Sequence, residues 1–208
     1  MGILSENLVW FLEYAKVPGS ILELGNQFLY IQERPFQWYK DKFLNPTNTT
    51  PIAAKPFFTE YGFEHVSVDI NGQDGALPLD LSQPITITDG TGQKRRYFDY
   101  ITDFGTSEHV SNLWQCLANL HHHAHVGTVF FHVNPLTGNW PGHGFWYRDE
   151  AFYEAFAKLV GYRLLEMKRS FACGNSTDGW NIWARMEMVT DGLFPTVEDC
   201  DMLPIKRK

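Results

Sequence analysis

Residues 21–27 read ILELGNQ, a short apolar run that ends in a glycine and two amide residues. An apolar run of this length, bounded by turn residues, is typical of a buried strand followed by a tight turn. The preceding segment, SENLVWFLEYAK at 5–16, spaces its apolar residues as one face of a helix, with Ser5 as a candidate N-cap. We therefore expect an N-terminal helix within residues 1–17 that leads into a first buried strand.

Beyond this strand, short apolar runs alternate with helical segments. Further strands are predicted in HVSVDI (65–70), ALPLDL (76–81), FDYITDFG (98–105) and GTVFFHV (127–133). A helix is predicted over 107–125, with Ser107 as its candidate cap. A second helix is predicted over 149–161, with Asp149 at its start and Gly161 at its end.

The connections between strands indicate how the strands are arranged. The proline-rich segment 45–56 is predicted to be a loop, and Asp89-Gly90 is typical of a hairpin turn. The last two apolar runs, 162–171 and 180–189, have only a short loop between them, whereas parallel neighbours need a crossover of a dozen or more residues. They should therefore pair as an antiparallel hairpin. The pattern predicts an α/β fold, with a mostly parallel sheet, an antiparallel C-terminal strand and helices on both faces.

The bulk composition limits the class of protein. A chain of 208 residues suits a single domain, with residues 191–208 as a polar tail. A net charge of -7 and a pI of about 5.6 argue against nucleic acid as a partner, because phosphate contacts need Lys and Arg. Three widely spaced cysteines without CxxC spacing indicate neither a disulfide framework nor a zinc site built from cysteines. We found neither a membrane-spanning apolar run nor a signal-peptide pattern, so we expect a cytoplasmic protein without a membrane partner.

Carboxylates follow the predicted strands at the edge where ligands of open α/β sheets bind. The residues at these ends are Glu23, Gly25 and Asn26 for the first strand, then Asp69, Asp80 and Asp103 for the later ones. Carboxylates accept hydrogen bonds from ribose hydroxyls and amino groups, whereas a pyrophosphate needs several glycines and no clustered acids. These residues predict a site for a nucleoside-like ligand, although each acid could instead cap a helix or end a strand.

Four segments, taken in order, carry a resemblance to a known family. They are ILELGNQ, VSVDINGQDGALPLDLS, FDYITDFGTSEHV and HGFWYRDEAFYEAFAKLVGY. Together they resemble class I S-adenosylmethionine-dependent methyltransferases, and the resemblance covers nearly the whole chain. It implies a Rossmann-like three-layer sandwich whose seven-stranded sheet receives the last strand antiparallel. It also implies S-adenosyl-L-methionine as the cofactor.

The resemblance implies a role for individual residues. Glu23 and Gly25 would border the methionine part of the cofactor, with Asn26 beside them in the same turn. Asp69 would accept hydrogen bonds from the ribose, and Ile70 would pack on the adenine. The remaining implied contacts are the adenine edge, at Asp80 and Leu81, and the sulfonium, at Asp103 and Phe104.

Two departures from the family pattern keep other classes open. Only Gly25 remains of the usual glycine loop, and Asp69 lies 46 positions after Glu23, against about 20 in the simple dinucleotide fingerprint. A nucleoside-binding α/β module without transfer activity is therefore the main alternative. A nicotinamide-dependent reductase is disfavoured because GxGxxG is missing, and a hydrolase because GxSxG is missing.

The acceptor and the catalytic groups are predicted from the loops after the fourth and fifth strands. Glu108, His109 and His143 are candidates for the base that takes the acceptor's proton, although either histidine could be purely structural. Trp140, Phe145, Trp146 and Tyr147 could form the wall of the acceptor site or hold the loop to the core. The Asn-Pro-Pro-aromatic motif of base-amino methyltransferases is absent. We therefore expect a small-molecule acceptor with a hydroxyl or amine, such as a sugar or another metabolite.

The most conspicuous stretch of the chain is NLHHHAHVG at 119–127, with four histidines. Histidines near the C-terminus of a helix are stabilised by the helix dipole and by the free carbonyls, which is a sufficient structural reason for them. His121 and His125 are spaced i, i+4 and could chelate a metal. The stretch lies on the amino-terminal side of the next strand, so we predict a helix end and no metal site.

Overall fold

The computed structural model describes residues 2–31, 51–88, 91–93, 97–171 and 179–207. In chain order, its strands are β1 (Gly2–Leu4), β2 (Gly19–Leu24), β3 (Phe28–Tyr30), β4 (Ile52–Ala53), β5 (Phe63–Val68), β6 (Tyr100–Phe104), β7 (Val129–Pro135), β8 (Trp146–Tyr147), β9 (Tyr162–Phe171), β10 (Trp180–Met188) and β11 (Lys206–Arg207). The helices are α1 (Ser5–Tyr14), α2 (Ala54–Tyr61), α3 (Leu113–His122), α4 (Glu150–Val160) and α5 (Val197–Asp201). No helix in these ranges is long and apolar enough to span a bilayer.

A central sheet with the strand order β5-β2-β6-β7-β10-β9 organises the described residues. The first four strands run parallel, with Leu22 paired to Ile101 and Ile101 to Phe130. Strand β10 lies between β7 and β9 and is antiparallel to both. The mostly parallel sheet and the antiparallel C-terminal hairpin are therefore confirmed.

The sheet has six strands in the described residues rather than the expected seven. The prediction of a strand at 76–81 is wrong, because this segment makes only a single isolated β-bridge, between Leu77 and Val68. Two backbone bonds form there: Leu77 N–H donates to Ser67 and Asp69 N–H donates to the Leu77 carbonyl. Pro78 follows immediately and has no N–H with which to extend a ladder.

Helices cover both faces of the sheet, as alternating side chains along each strand require. Ile21 points into an apolar cluster with Phe11 and Phe58, which α1 and α2 contribute. Its neighbour Leu22 points to the other face, into a cluster built with α3 and α4. Successive side chains of a strand point to opposite faces of the sheet, so the two clusters lie on opposite faces. The sheet and the helices on its two faces form a three-layer α/β/α sandwich.

Helices α3 and α4 differ in how well the sequence predicted them. The helix predicted over 149–161 is confirmed: Asp149 caps it by accepting from the Phe152 N–H, and Gly161 ends it with φ 72°. The helix predicted over 107–125 is shorter. Residues 107–109 form a 3₁₀ turn, and α3 begins after Asn112, whose side chain accepts from the Gln115 N–H.

Near the two ends of the chain, some details of the elements differ from the prediction. Helix α1 is confirmed, although Leu4 rather than Ser5 occupies its N-cap position. Residues 52–56, predicted to be loop, contain β4 and the start of α2, where Pro56 lies in the first turn and needs no N–H donor. Within the tail predicted at 191–208, α5 buries Cys200. The turn predicted at Asp89-Gly90 and residues 45–50 lie outside the described residues.

Phe11 is central to the face covered by α1 and α2. Its ring is fully buried and makes edge-to-face contacts with Phe58 and Phe131, at centroid distances of 5.5 and 5.0 Å. We expect Phe11→Ala to lower the free energy of unfolding in urea by about 3–5 kcal/mol, since it leaves a cavity between a helix and the sheet. Phe145→Ala, at a ring that is 52% exposed, is the control and should change it little. Equal losses would contradict this role of Phe11.

Candidate functional site

A first cavity of about 290 Å³ lies at the carboxyl ends of β2 and β5. It is lined by five of the residues predicted to contact the cofactor, namely Gly25, Asp69, Ile70, Asp80 and Leu81. These residues come from three separate segments of the chain, and the parallel sheet brings them to one edge. The arrangement agrees with the rule that ligands of such sheets bind beyond the carboxyl ends of the strands.

The turn after β2 is shaped by Gly25 and held by Asp69. Gly25 has φ 76°, a conformation that favours glycine, and its N–H donates to the Val68 carbonyl at 2.8 Å. The Asp69 carboxylate accepts from the Asn26 N–H at 2.8 Å with one oxygen and from the Asn71 N–H at 2.9 Å with the other. Each carboxylate oxygen can accept more than one hydrogen bond, so Asp69 retains acceptor capacity toward the cavity.

The opposite wall of the first cavity combines a carboxylate with apolar side chains. Asp80 accepts from the Ser82 N–H at 2.8 Å, and hydrogen bonds from Ser82 lower its pKa, so it is anionic at neutral pH. Leu81 is buried, whereas Ile70 is 73% exposed at the rim. The lining of the first cavity therefore combines a charged hydrogen-bond acceptor with apolar side chains.

Glu23 and Asn26, which were predicted beside the cofactor at the same turn, do not line the first cavity. Glu23 is buried beneath the turn, where its Oε2 lies 3.6 Å from Nε2 of His65. Asn26 donates its side-chain amide to Asp74 at 2.7 Å. The side chains of Glu23 and Asn26 thus contact other protein groups, whereas Gly25 and Asp69 line the first cavity.

A second cavity of about 360 Å³ adjoins the first. Its lining combines the end of β6 and the turn after it, the end of β7, the loop 136–145, the N-terminal region and β10: Gly2, Leu4, Asn7, Tyr30, Phe104, Gly105, Glu108, Val133, Pro135, Trp140, His143 and Asn181. Gly105 and Glu108 line this cavity, whereas Thr106 and His109 line the first. The segment 105–109 is therefore the boundary between the two cavities.

Glu108, His109 and His143 meet at this boundary. Oε1 of Glu108 lies 3.8 Å from Nε2 of His109 and 3.7 Å from Nε2 of His143, and the two imidazole centroids are 4.8 Å apart. Glu108 is buried, while the two imidazoles are partly exposed. Burial lowers the pKa of His109 against the opposing effect of Glu108, so its ring is neutral at pH 7. The three predicted catalytic residues are thus neighbours.

Asp103, which the resemblance implied beside the sulfonium, is fully buried and lines neither cavity. Its carboxylate accepts from the Ser107 N–H at 2.9 Å and from the Ser107 hydroxyl. His132 and Asn134 on β7 lie 3.0 and 3.2 Å away, and Arg148 completes the set at 3.5 Å. Burial opposes ionisation, but the bond to His132 and the charge of Arg148 keep the pKa of Asp103 well below its usual range. Phe104, the next residue, does line the second cavity.

The sequence missed several residues of the second cavity. Gly2, Asn7 and Tyr30 come from an N-terminal region that precedes Glu108 by 78 to 106 positions, and no local pattern connects them with it. Of the four aromatic residues predicted for the acceptor wall, Trp140 lines this cavity. Trp146 and Tyr147 are buried in β8, and Phe145 is exposed.

The histidine run lies at the C-terminal end of α3, as predicted. The ring of His121 lies 2.8 Å from the Tyr162 hydroxyl and 2.7 Å from the Gly192 carbonyl, and it stacks on Tyr162. His123 contacts the Asn119 carbonyl at 2.8 Å. In the part of the chain that the structure describes, the run contributes to no cluster of three metal-ligating side chains.

Comparisons with known proteins place the fold. No family model and no curated protein matches the chain. Among solved structures, it is similar to the 1,6-didemethyltoxoflavin-N1-methyltransferase of Burkholderia thailandensis, which was crystallised with 1,6-didemethyltoxoflavin and S-adenosylhomocysteine. That match has 14% identity and a TM-score of 0.52, and covers 88% of this chain and 76% of the other.

Two further structures give the same picture. A SAM-dependent methyltransferase of Archaeoglobus fulgidus matches with 13% identity and a TM-score of 0.52, over 88% of this chain and 92% of the other. The N-methyltransferase NodS of Bradyrhizobium japonicum matches with 14% identity and a TM-score of 0.50, over the same shares. At these identities, the matches establish the fold. It is the Rossmann-like fold of class I S-adenosylmethionine-dependent methyltransferases, as the resemblance implied.

The Asp103 network gives a stability prediction. Asp103→Asn leaves the buried Arg148 without its carboxylate, and we expect it to cost about 3–5 kcal/mol of unfolding free energy at pH 7. Because the folded-state pKa is depressed, the stabilisation is present above the unfolded value of about 3.9 and is lost as pH falls below it. Urea denaturation at several pH values from 7 to 3 should therefore show that the difference in unfolding free energy between wild type and variant becomes smaller in acid.

The control for this measurement is Asp191→Asn, at an exposed carboxylate. It should leave the free energy of unfolding within about 0.5 kcal/mol of wild type at every pH. A gap between wild type and Asp103→Asn that stays constant down to pH 3 would contradict an ionised, paired Asp103.

Proposed function

We propose that the protein is an S-adenosylmethionine-dependent methyltransferase that acts on a small-molecule hydroxyl or amine. One observation carries the proposal: two cavities adjoin at the carboxyl edge of a methyltransferase-fold sheet, and a polar segment, 105–109, separates them. In this proposal the first cavity takes the methyl donor and the second takes the acceptor. The fold similarity supports the proposal, because the neighbouring structures are of methyltransferases.

The first cavity fits the donor in charge and shape. Asp69 has acceptor capacity for the ribose hydroxyls, and Ile70 and Leu81 provide apolar contacts for the adenine. Asp80 stands at the adenine edge and accepts from its amino group. Gly25 keeps the turn close to the cavity through its positive φ, which compensates for the missing glycines of the loop. The Asn26 N–H donates to Asp69 and so helps to hold this turn beside the cavity.

The second cavity sets the kind of acceptor. Phe104, Tyr30 and Trp140 provide aromatic or apolar surface, while Asn7 and Asn181 provide amides. At about 360 Å³, it is near the lower end of the range for small-molecule sites, about 300–1,000 Å³. A compact molecule with one apolar face and a few polar groups suits it better than a macromolecule.

The reaction needs positioning more than covalent chemistry. When bound, S-adenosylmethionine supplies a methyl group on a positively charged sulfur. The residues of this chain hold the acceptor atom in line with that methyl group, which removes much of the entropic part of the barrier. Glu108, His109 and His143 act on the acceptor's hydroxyl or amine, since they stand where the two cavities meet. Asp103 acts indirectly, by fixing the segment 105–109.

Donor binding can be measured without knowing the acceptor. S-adenosylhomocysteine, titrated calorimetrically into the protein, should bind at one site per chain. Asp69→Ala should weaken binding about 10- to 100-fold, because it removes charge-assisted hydrogen bonds to the ribose worth about 1.5–3 kcal/mol. Asp191→Ala, which removes a carboxylate far from the cavity lining, is the matched control. No heat at millimolar ligand, or equal affinity in both variants, would refute the donor site.

Acceptor binding needs a screen with isotopically labelled methyl donor and a panel of small hydroxylated and amino compounds. For any acceptor found, Trp140→Ala should lower kcat/KM roughly tenfold, because it removes ring contact from the second cavity. The affinity for S-adenosylhomocysteine should remain unchanged. A protein that binds the donor but methylates nothing in the panel would favour the alternative of a nucleoside-binding module, and loss of donor affinity in Trp140→Ala would contradict the division between the cavities.

A further inference from the structure

We infer that Glu108, His109 and His143 bind one divalent transition-metal ion, which holds an oxygen atom of the acceptor between the two cavities. The inference deepens the function proposed above and rests on it for the identity of the bound oxygen. The metal site itself rests only on the geometry of three side chains. One ligand atom from each lies within 4.8 Å of the other two, and no other group of this kind occurs in the described residues.

The donor set selects the class of ion. Two imidazole nitrogens and one carboxylate oxygen suit Zn²⁺, Mn²⁺, Fe²⁺ or Co²⁺, whereas Mg²⁺ and Ca²⁺ prefer oxygen ligands alone. Ligand atoms bound at about 2.1 Å are about 3.0–3.4 Å apart from one another in tetrahedral or octahedral geometry. The distances of 3.7 and 3.8 Å from Glu108 to the imidazoles therefore need to close by about 0.3–0.8 Å. The two imidazole nitrogens lie within 4.8 Å of each other and also need to approach when an ion binds. Both imidazoles are partly exposed and can make this adjustment.

The carboxylate is already oriented for this role. Oε2 of Glu108 accepts from Nδ2 of Asn134 at 3.1 Å, and Asn134 in turn accepts from the Tyr153 hydroxyl. With Oε2 engaged, Oε1 points to the two imidazoles. Hydrogen-bonded groups behind a ligand typically fix its orientation in metal sites.

The loop that carries His143 is fastened to Glu108. The Phe145 N–H donates to the Glu108 carbonyl at 2.8 Å, and a Cβ at position 144 would lie 2.8 Å from the same carbonyl oxygen. Gly144 therefore permits a contact that any other residue would obstruct. The backbone N–H of His143 donates to the Tyr147 hydroxyl at 3.0 Å. The approach of His143 to Glu108 is built into the backbone of this loop.

Three protein ligands leave coordination positions for a small molecule. Glu108 and His143 line the second cavity and His109 lines the first, so a ligand on the ion would lie at the boundary. A hydroxyl bound to a divalent cation loses its proton more readily. The proton passes to solvent at the exposed imidazole side. An oxygen lone pair then forms the new O–C bond as the C–S bond breaks, and the electron pair of that bond stays on sulfur. The inference thus favours a hydroxyl acceptor over an amine.

Cobalt provides a direct test that needs no acceptor. Protein freed of metal by chelation is titrated with Co²⁺, and the visible absorption of the ion is recorded. We expect one ion per chain for wild type and at least 100-fold weaker binding for Glu108→Gln and for His143→Ala. His125→Ala, in the histidine run, is the matched control and should bind Co²⁺ as wild type does. Addition of S-adenosylhomocysteine should shift the absorption, because His109 borders the donor cavity.

The outcomes separate this inference from the proposed function. His143→Ala removes only a ring, and an unchanged affinity for S-adenosylhomocysteine would show that the variant is folded. If wild type binds S-adenosylhomocysteine but not Co²⁺, or if all variants bind Co²⁺ equally, the metal site is refuted and the three residues act on the acceptor without a cation. If Co²⁺ binds as expected but S-adenosylhomocysteine does not, the metal site stands and the methyltransferase proposal fails.

Discussion

The buried Asp103 carboxylate is the group on which the rest of the candidate site depends. It is the last polar residue of β6, and its partners lie on three other parts of the chain: Ser107 in the following turn, His132 and Asn134 on β7, and Arg148 before α4. A charge this deeply buried is tolerated only when opposite charge and hydrogen bonds compensate its lost hydration. The network therefore ties these parts into one arrangement that cannot relax separately.

The same network reaches the cavity boundary through Asn134. Its side-chain amide contacts both Asp103 and Glu108, so the buried network and the carboxylate at the boundary share one donor. Arg148 reinforces this connection by donating to the Ser107 hydroxyl at 2.8 Å. Segment 105–109 is consequently held at Ser107 and Glu108, so the Glu108 carboxylate is already oriented at the boundary before a ligand binds.

The parts of this structure that could be predicted from sequence are those that local patterns determine. Apolar period and turn residues located the six strands of the central sheet, although they also predicted a strand at 76–81 that does not form. The short connection before residue 180 predicted the direction of β10. Asp69 could be placed because the end of a parallel strand is also the edge of a cavity. Asp80 also lines that cavity, but it lies in a segment that forms no strand. Asp103 also lies near the end of a parallel strand, but its side chain faces inward. Its buried partners, His132 and Asn134 on β7 and Arg148, determine this direction, and no local sequence pattern shows them. The approach of His143 to Glu108, across 35 positions, and the contribution of Tyr30 to the second cavity depend on tertiary packing in the same way.

The glycine-poor turn after β2 shows how a departure from a family pattern can be compatible with the fold. In place of further glycines the chain has Gln27, whose buried amide donates to the Leu24 carbonyl at 3.0 Å and to the Thr106 hydroxyl at 2.9 Å. That hydroxyl donates in turn to the Leu24 carbonyl at 2.8 Å. Side-chain hydrogen bonds thus join the turn after β2 to the turn after β6, the two segments between which a donor's methionine part would lie. Because these hydrogen bonds are buried, breaking them would leave polar groups unpaired. Side-chain hydrogen bonds therefore stabilise this turn, whereas a turn with additional glycines would have only its backbone hydrogen bonds.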